Sequence, residues 1–140
     1  MCCDYFSVST RPLTNHLCIN ITTATGGSMA STGYVILWAS AVLSAIVDNI
    51  PFVATMIPLI KNMAPSFAGT DIQPLWWCLS LGACLGGNGT LIGASANLTV
   101  AGIGERNKVP FSFITYSLYA FPMMLVSVAI CHLYVWWRYF

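Results

Sequence analysis

Three long stretches of the chain carry no charged side chain, and they decide what it can fold into. They run from residue 12 to 47, from 72 to 104 and from 109 to 137. The last two exceed the ~20 apolar residues that cross a bilayer as a helix. Only 6% of all residues are charged, against about 25% in an average soluble domain. The sequence therefore predicts an all-α, multi-pass integral membrane protein of the plasma membrane or an organelle membrane.

The few charged residues and histidines argue against a nucleic-acid-binding protein and against an enzyme. The formal net charge is +1 and the five Lys and Arg residues form no run, so no nucleic-acid partner is predicted. His16 and His132 lie far apart in the chain without an acidic partner motif, and no nucleophile–base pair is recognisable. We predict the lipid bilayer as a partner, no enzymatic activity and no organic cofactor.

The first apolar run ends in a polar motif. Residues 1–33 are rich in Ser, Thr, Asn and Gly and are predicted to be a poorly ordered lead-in to a membrane domain over residues 34–140. A helix from Tyr34 to Val47 would be about 21 Å long at ~1.5 Å per residue, short of the ~30 Å hydrocarbon core. The motif at 48–51, Asp-Asn-Ile-Pro, comes next, and a second apolar run reaches Ile60.

Two arrangements of residues 34–60 remain open. One is a single span with a polar interruption, and the other is a re-entrant helical hairpin with residues 48–51 at its tip. Because Pro51 lacks an N–H and disfavours helix in the residues before it, we favour the hairpin.

The next membrane segment, residues 75–104, contains four glycines within eight positions, from Gly86 to Gly93. Each costs a continuous helix about 1 kcal/mol relative to Ala. We therefore predict a discontinuous transmembrane helix, with one half ending near Leu85 and the other ending near Ile103. A terminal transmembrane helix over residues 112–137 follows.

Asp48 is the only acidic residue inside an apolar stretch. A carboxylate at bilayer depth costs at least ~2.5–3.5 kcal/mol on insertion scales, which favours a functional role as ion ligand or proton carrier. The alternative is a turn or helix-capping residue. Uncharged polar side chains and the exposed main-chain groups of an unwound helix can bind a small ion. The candidates there are Asn88, Gly89, Thr90, Ser95 and Asn97; the glycines could equally form a GxxxG packing face.

Two segments resemble a known group of membrane proteins. Residues 44–52 (SAIVDNIPF) and 81–97 (LGACLGGNGTLIGASAN) are similar to the C-terminal end of the melanocyte-type P-protein (pink-eyed dilution) family. More broadly they resemble the ion transporter superfamily, with its arsenite permeases, Na⁺/H⁺ antiporters and citrate-type carriers. The resemblance covers roughly residues 34–137 and identifies them as a partial citrate transporter-like domain.

The resemblance implies an inverted-repeat transporter, of which this chain would be the C-terminal half. Asp48 and Asn49 would lie at the hairpin tip and face the unwound helix from Asn88 to Asn97. The coupling ion would be Na⁺ or H⁺, with Na⁺ bound at Asp48, Asn49, Asn88 and Asn97. A small ion or anionic solute would bind beside it, and the full-length relative would form a homodimer.

The predicted function is therefore that of a partial ion-coupled secondary transporter for a small ion or organic anion. The chain has one hairpin and one interrupted helix, and residues 1–33 do not resemble the preceding helices of the family. We therefore interpret it as a truncated or partial product. Two alternatives remain: a channel-like anion conductance with the Gly-rich segment as its filter, and a non-transporting membrane subunit.

Overall fold

The computed structural model describes Asn20, Thr23 and residues 25–67, 71–109 and 112–139. Within these ranges the chain forms helices and no β-strand, which confirms the predicted all-helical class. The α-helices are α1 (Met29–Ile46), α2 (Asn49–Met63), α3 (Gln73–Gly86), α4 (Ser95–Arg106) and α5 (Phe113–Tyr139). A 3₁₀ turn, Ala64–Phe67, continues α2.

Two of the helices are long and apolar enough to cross a membrane. α1 has 18 residues with a mean hydropathy of 1.6, and α5 has 27 residues, with a mean hydropathy of 1.8 over an 18-residue window. Only 17% of the apolar window of α5 is buried, whereas a soluble protein rarely leaves so large an apolar surface in water. Trp136 and Trp137 near its end are 59% and 81% exposed, which suits aromatic anchors at a bilayer interface.

α1 is longer than predicted. It begins at Met29 rather than at Tyr34, and at ~1.5 Å per residue its 18 residues extend about 27 Å. By length and composition α1 could cross a membrane, so the prediction that both arms are too short is wrong for α1, whereas α2, with 15 residues, is shorter than a span. The Thr32 hydroxyl donates to Ser28 O at 2.9 Å, and Thr32 is buried, so a polar sequence forms the first helical turns. Residues 1–19 lie outside the described residues, and the predicted lead-in stays a prediction there.

α1 and α2 are separated by Val47 and Asp48. Val47 is extended, with φ −112° and ψ 139°, and α2 begins at Asn49 although Pro51 was expected to disfavour helix there. The first turn of a helix tolerates Pro because its N–H groups have no intrahelical acceptor, and Phe52 N donates to Asp48 O at 3.3 Å. The re-entrant course of this pair stays a prediction.

Small residues let α3 pack closely against α1. A Cβ on Gly82 would lie 2.4 Å from Leu37 O, and a Cβ on Gly86 would lie 2.3 Å from Ala41 O. Only glycine fits at either position, so the GxxxG alternative applies to this pair. The close packing brings the end of α1 beside the end of α3, where both helices stop.

Candidate ion and solute site

The transmembrane helix predicted over residues 75–104 is interrupted. α3 ends at Gly86 and α4 begins at Ser95, so residues 87–94 are not helical; we call this segment the helix break. The predicted interruption is confirmed, and both halves run slightly longer than predicted. Each half is too short to cross a bilayer alone.

Thr90 joins the helix break to the end of α1. Its hydroxyl donates to Ala45 O and accepts a hydrogen bond from Gly93 N at 3.1 Å. One side chain therefore fixes both the fold of the break and its position against α1.

Asn97 joins the helix break to α4. Its side-chain nitrogen donates to Gly87 O at 3.1 Å and to Thr90 O at 3.0 Å. Both amide hydrogens are used in these bonds, which leaves Oδ1 as the polar atom available to another partner.

Asn49, the first residue of α2, lies against the start of the helix break. A Cβ on Gly87 would lie 2.7 Å from Asn49 Nδ2, 2.9 Å from Asn49 Oδ1 and 2.9 Å from Gly93 O. Ser44 Oγ contacts Asn49 Oδ1 and also lies 2.8 Å from Ala83 O. The helix break therefore contacts the junction between α1 and α2 at Gly87.

Main-chain oxygens converge at the same place. A Cβ on Gly93 would lie 2.8 Å from Gly87 O and 3.1 Å from each of Ser44 O and Ala45 O. With the Asn49 amide and the carbonyl of Gly93, these groups form what we call the oxygen cluster. Carbonyl and amide oxygens are the ligands of hard cations, and unwound helices offer such carbonyls to Na⁺.

Asp48 lies beside this cluster in sequence. It is half-buried at the N-cap position of α2, and its side chain makes no capping hydrogen bond. The contacts with the helix break are made by the neighbouring Asn49 and by the backbone of α1.

Three predicted residues, two on the helix break and one at the start of α4, lie away from the oxygen cluster. Gly89 packs against α5, where a Cβ would lie 3.0 Å from Met124 Cε. Asn88 is exposed and lines a groove of about 280 Å³ that also involves Tyr116 and Ser127 of α5. Ser95 is exposed, and its carbonyl accepts a hydrogen bond from Thr99 at 3.0 Å. The structure therefore brings Asn49, Thr90 and Asn97 together and places Asn88 on the α5 side.

α5 contributes a surface that the sequence interpretation missed. A groove of about 520 Å³ lies between α4 and α5 and is lined by Asn97, Val100, Thr115, Tyr116, Tyr119, Ala120 and Met123. It shares Tyr116, Ala120 and Met123 with the smaller groove. The sequence did contain a signal for this surface. Hydroxyl-bearing and small residues recur at helical spacing, which indicates one face of α5: Tyr116, Ala120 and Ser127.

The residues that contribute main-chain oxygens to the cluster were not named by the sequence analysis, for a different reason. Ser44, Ala45 and Gly87 contribute main-chain oxygens, and a main-chain oxygen leaves no mark on residue type. The only signal for Ser44 was its place inside the segment that resembles the transporter superfamily.

Residues 14–82 match the sequence profile of a family described as citrate transporter. The match includes Asp48 and Asn49 and ends before the helix break. Together with the apolar helices, the match identifies the chain as a membrane protein that is similar to a family of transporters.

The particular relatives are P proteins and mycobacterial transporters. The P protein of Sus scrofa is 50% identical over 111 residues, covering 76% of this chain and 13% of the relative. The P protein of Homo sapiens is 50% identical over 103 residues, or 71% and 12%. An uncharacterized transporter of Mycobacterium tuberculosis is 43% identical over 129 residues, or 90% and 30%.

The predicted resemblance is confirmed over these ranges. The chain spans less than a third of the length of each of these relatives. No solved structure matches the chain significantly.

Proposed function

We propose that this chain supplies one half of the ion and solute site of an ion-coupled secondary transporter. The observation that carries the proposal is the oxygen cluster, where the end of α1, the start of α2 and the helix break meet. Gly87 O and Ala45 O accept hydrogen bonds from Asn97 and Thr90, which leaves Ser44 O, Gly93 O and the Asn49 amide oxygen as the uncharged oxygens that could bind a small cation. Na⁺ is the coupling ion that this chemistry favours, with H⁺ as the other candidate.

The residues divide into ligands and supports. The Asn49 amide and the carbonyls of Ser44 and Gly93 would bind the cation. Asp48, one residue away and without a capping bond, would supply the negative charge that attracts the cation or exchanges a proton with it. Thr90 and Asn97 would hold the helix break in place through their hydrogen bonds.

Helix orientation supports an anionic solute beside the cation. α2 begins at Asn49 and α4 begins at Ser95, so two helix N-termini with positive dipole ends adjoin the helix break. A relative described as a transporter and a family described as citrate transporter agree with a small organic anion. On this proposal α1 and α2 form the re-entrant hairpin, and a second half-site comes from the rest of a longer protein. Dimerisation stays a prediction.

Transport can be tested in a chimera. Residues 29–139 would replace the corresponding segment of the 43% identical mycobacterial transporter, and the chimera would be reconstituted into liposomes. We expect uptake of radiolabelled Na⁺ driven by an imposed pH or citrate gradient, rising above the external concentration. A channel would only equilibrate Na⁺ across the membrane.

Asp48→Asn should abolish this gradient-driven uptake. The matched control is Asp71→Asn, because Asp71 is an exposed acid whose Oδ1 accepts a hydrogen bond from Gln73 N at 3.0 Å at the start of α3. Asp71→Asn should leave uptake unchanged. If Asp48→Asn keeps the ion dependence of the parent chimera, Asp48 is not part of the site.

A further inference from the structure

We infer that Ser44 is a positioning residue of the proposed site, whose hydroxyl turns the Asn49 carboxamide so that its oxygen faces the helix break. This inference rests on the proposed function, because it concerns how one ligand of the cation is held. Ser44 lies in the last turn of α1, and its side chain is fully buried, at 0% exposure.

The first step is the hydrogen count at Ser44. Its Oγ has two neighbours, Ala83 O at 2.8 Å and the side chain of Asn49 at the atom assigned as Oδ1. A hydroxyl has one hydrogen to donate. If both neighbours were oxygens, one close oxygen–oxygen contact would have no hydrogen between the two atoms, and such a contact is repulsive.

The second step is the orientation of the amide. The two ends of an Asn side chain are distinguished by the hydrogen bonds they make. Ala83 O is an acceptor only, so the Ser44 hydrogen goes to it. The Asn49 group against Ser44 Oγ must then be the donor, which is the NH₂ end. This arrangement satisfies the hydroxyl, the carbonyl and the amide together.

The third step is where the amide oxygen then lies. Both ends of the Asn49 amide lie close to Gly87, at the position where a Cβ would also meet Gly93 O. With its nitrogen held by Ser44, Asn49 turns Oδ1 toward Gly87 and Gly93 O. Two oxygens that face each other need a cation or a donor between them, and the orientation therefore prepares a cation site.

The chain contains a matched control for this role. Ser40 lies one turn earlier on the same face of α1, is also fully buried against α3, and has no hydrogen-bond partner within the described residues. Ser40→Ala and Ser44→Ala therefore remove the same atom from the same interface. Only the second removes a contact with Asn49.

The test uses the full 140-residue chain in lipid nanodiscs. Because a ligand at concentration L that binds only the folded state stabilises it by RT ln(1 + L/Kd), the thermal unfolding midpoint is measured against Na⁺ concentration, with choline replacing Na⁺, and gives an apparent Kd for Na⁺. We expect Ser44→Ala to raise this apparent Kd about tenfold, which corresponds to about 1.4 kcal/mol. Ser40→Ala should leave it unchanged.

A double-mutant cycle separates positioning from general packing. If Ser44 acts through Asn49, Ser44→Ala should change nothing further in an Asn49→Ala background. Ser44→Cys, which keeps a weak donor, should have an intermediate Na⁺ requirement and guards against a failure of Ser44→Ala to fold.

The outcomes are distinguishable. A parent chain whose unfolding midpoint does not rise when Na⁺ replaces choline contradicts the proposed function itself. A parent chain that responds to Na⁺, with Ser44→Ala behaving like Ser40→Ala, overturns only the role of Ser44. Additive effects of the Ser44 and Asn49 substitutions overturn it as well, because they would mean that the two residues act independently.

Discussion

The side-chain nitrogen of Asn97 donates to the main-chain oxygen of Thr90 at 3.0 Å, across the helix break. The same nitrogen donates to Gly87 O at 3.1 Å. An interrupted helix leaves carbonyls without the amide donors that a continuous helix would give them, and each unsatisfied group costs several kcal/mol in a bilayer. Asn97 therefore supplies two of the donors that the interruption removes.

Asn97→Ala should destabilise the chain by about 1–3 kcal/mol, because it leaves two main-chain oxygens without this donor. Thermal unfolding in detergent, followed by circular dichroism, measures the change. Asn107→Ala is the control, since the Asn107 side chain is exposed and donates only to Ile103 O at the end of α4. Its effect should stay within about 0.5 kcal/mol. Equal effects of the two substitutions would contradict the role of Asn97.

Thr90→Val should be more damaging than Thr90→Ser. Val keeps the shape of Thr but neither donates to Ala45 O nor accepts from Gly93 N, so we expect a loss of about 1–3 kcal/mol. Ser keeps the hydroxyl and loses one methyl group, which costs about 1 kcal/mol or less. Unfolding midpoints of the two variants, compared with the parent chain, decide the order. The reverse order would mean that the methyl group, not the hydroxyl, matters.

Gly82→Ala should separate α1 from α3. The added methyl group would lie 2.4 Å from Leu37 O, and overpacking of this kind typically costs about 1–3 kcal/mol. Gly102→Ala in α4 is the matched control, because a Cβ there meets nothing within 4 Å. At an open helical position the same change should stabilise by up to about 1 kcal/mol. Opposite signs of the two shifts in unfolding midpoint are the expected result.

Gly93→Ala tests the oxygen cluster directly. Its methyl group would lie within 3.1 Å of the carbonyls of Gly87, Ser44 and Ala45 and would displace Ser44 O, one of the proposed ligands of the cation. We expect the rise of the unfolding midpoint with Na⁺ to disappear. Gly102→Ala is the control, because a Cβ there meets nothing within 4 Å, and it should keep the apparent Kd for Na⁺. A normal Na⁺ response in Gly93→Ala would exclude a cation at this position.

Several features of the fold could be predicted because they depend on composition and local backbone preference. Four glycines between Gly86 and Gly93 predicted the interruption, and the charge-free run after Val109 predicted α5. The start of α1 was missed because Ser, Thr and Gly before Tyr34 resemble a loop in isolation. Tertiary contact with α3 overrides that weak local preference and makes those residues helical.

The site was predictable only in part. Asn49, Thr90 and Asn97 were identified from the chemistry of their side chains and from the resemblance, and the structure brings them together. Asn88 could not be placed, because the regular spacing that assigns a residue to a face of a helix does not hold in a non-helical segment. Ser44 was missed because a serine in an apolar helix is most simply explained as a small packing residue.

α4 contains no buried residue in the described chain, and this has a thermodynamic consequence. Heat capacity rises when apolar surface becomes exposed to water, and lifting α4 from its neighbours would expose almost none. Detachment of α4 should therefore leave little calorimetric trace. Amide hydrogen exchange detects local opening that calorimetry does not. It would record detachment of α4 as fast exchange confined to that helix.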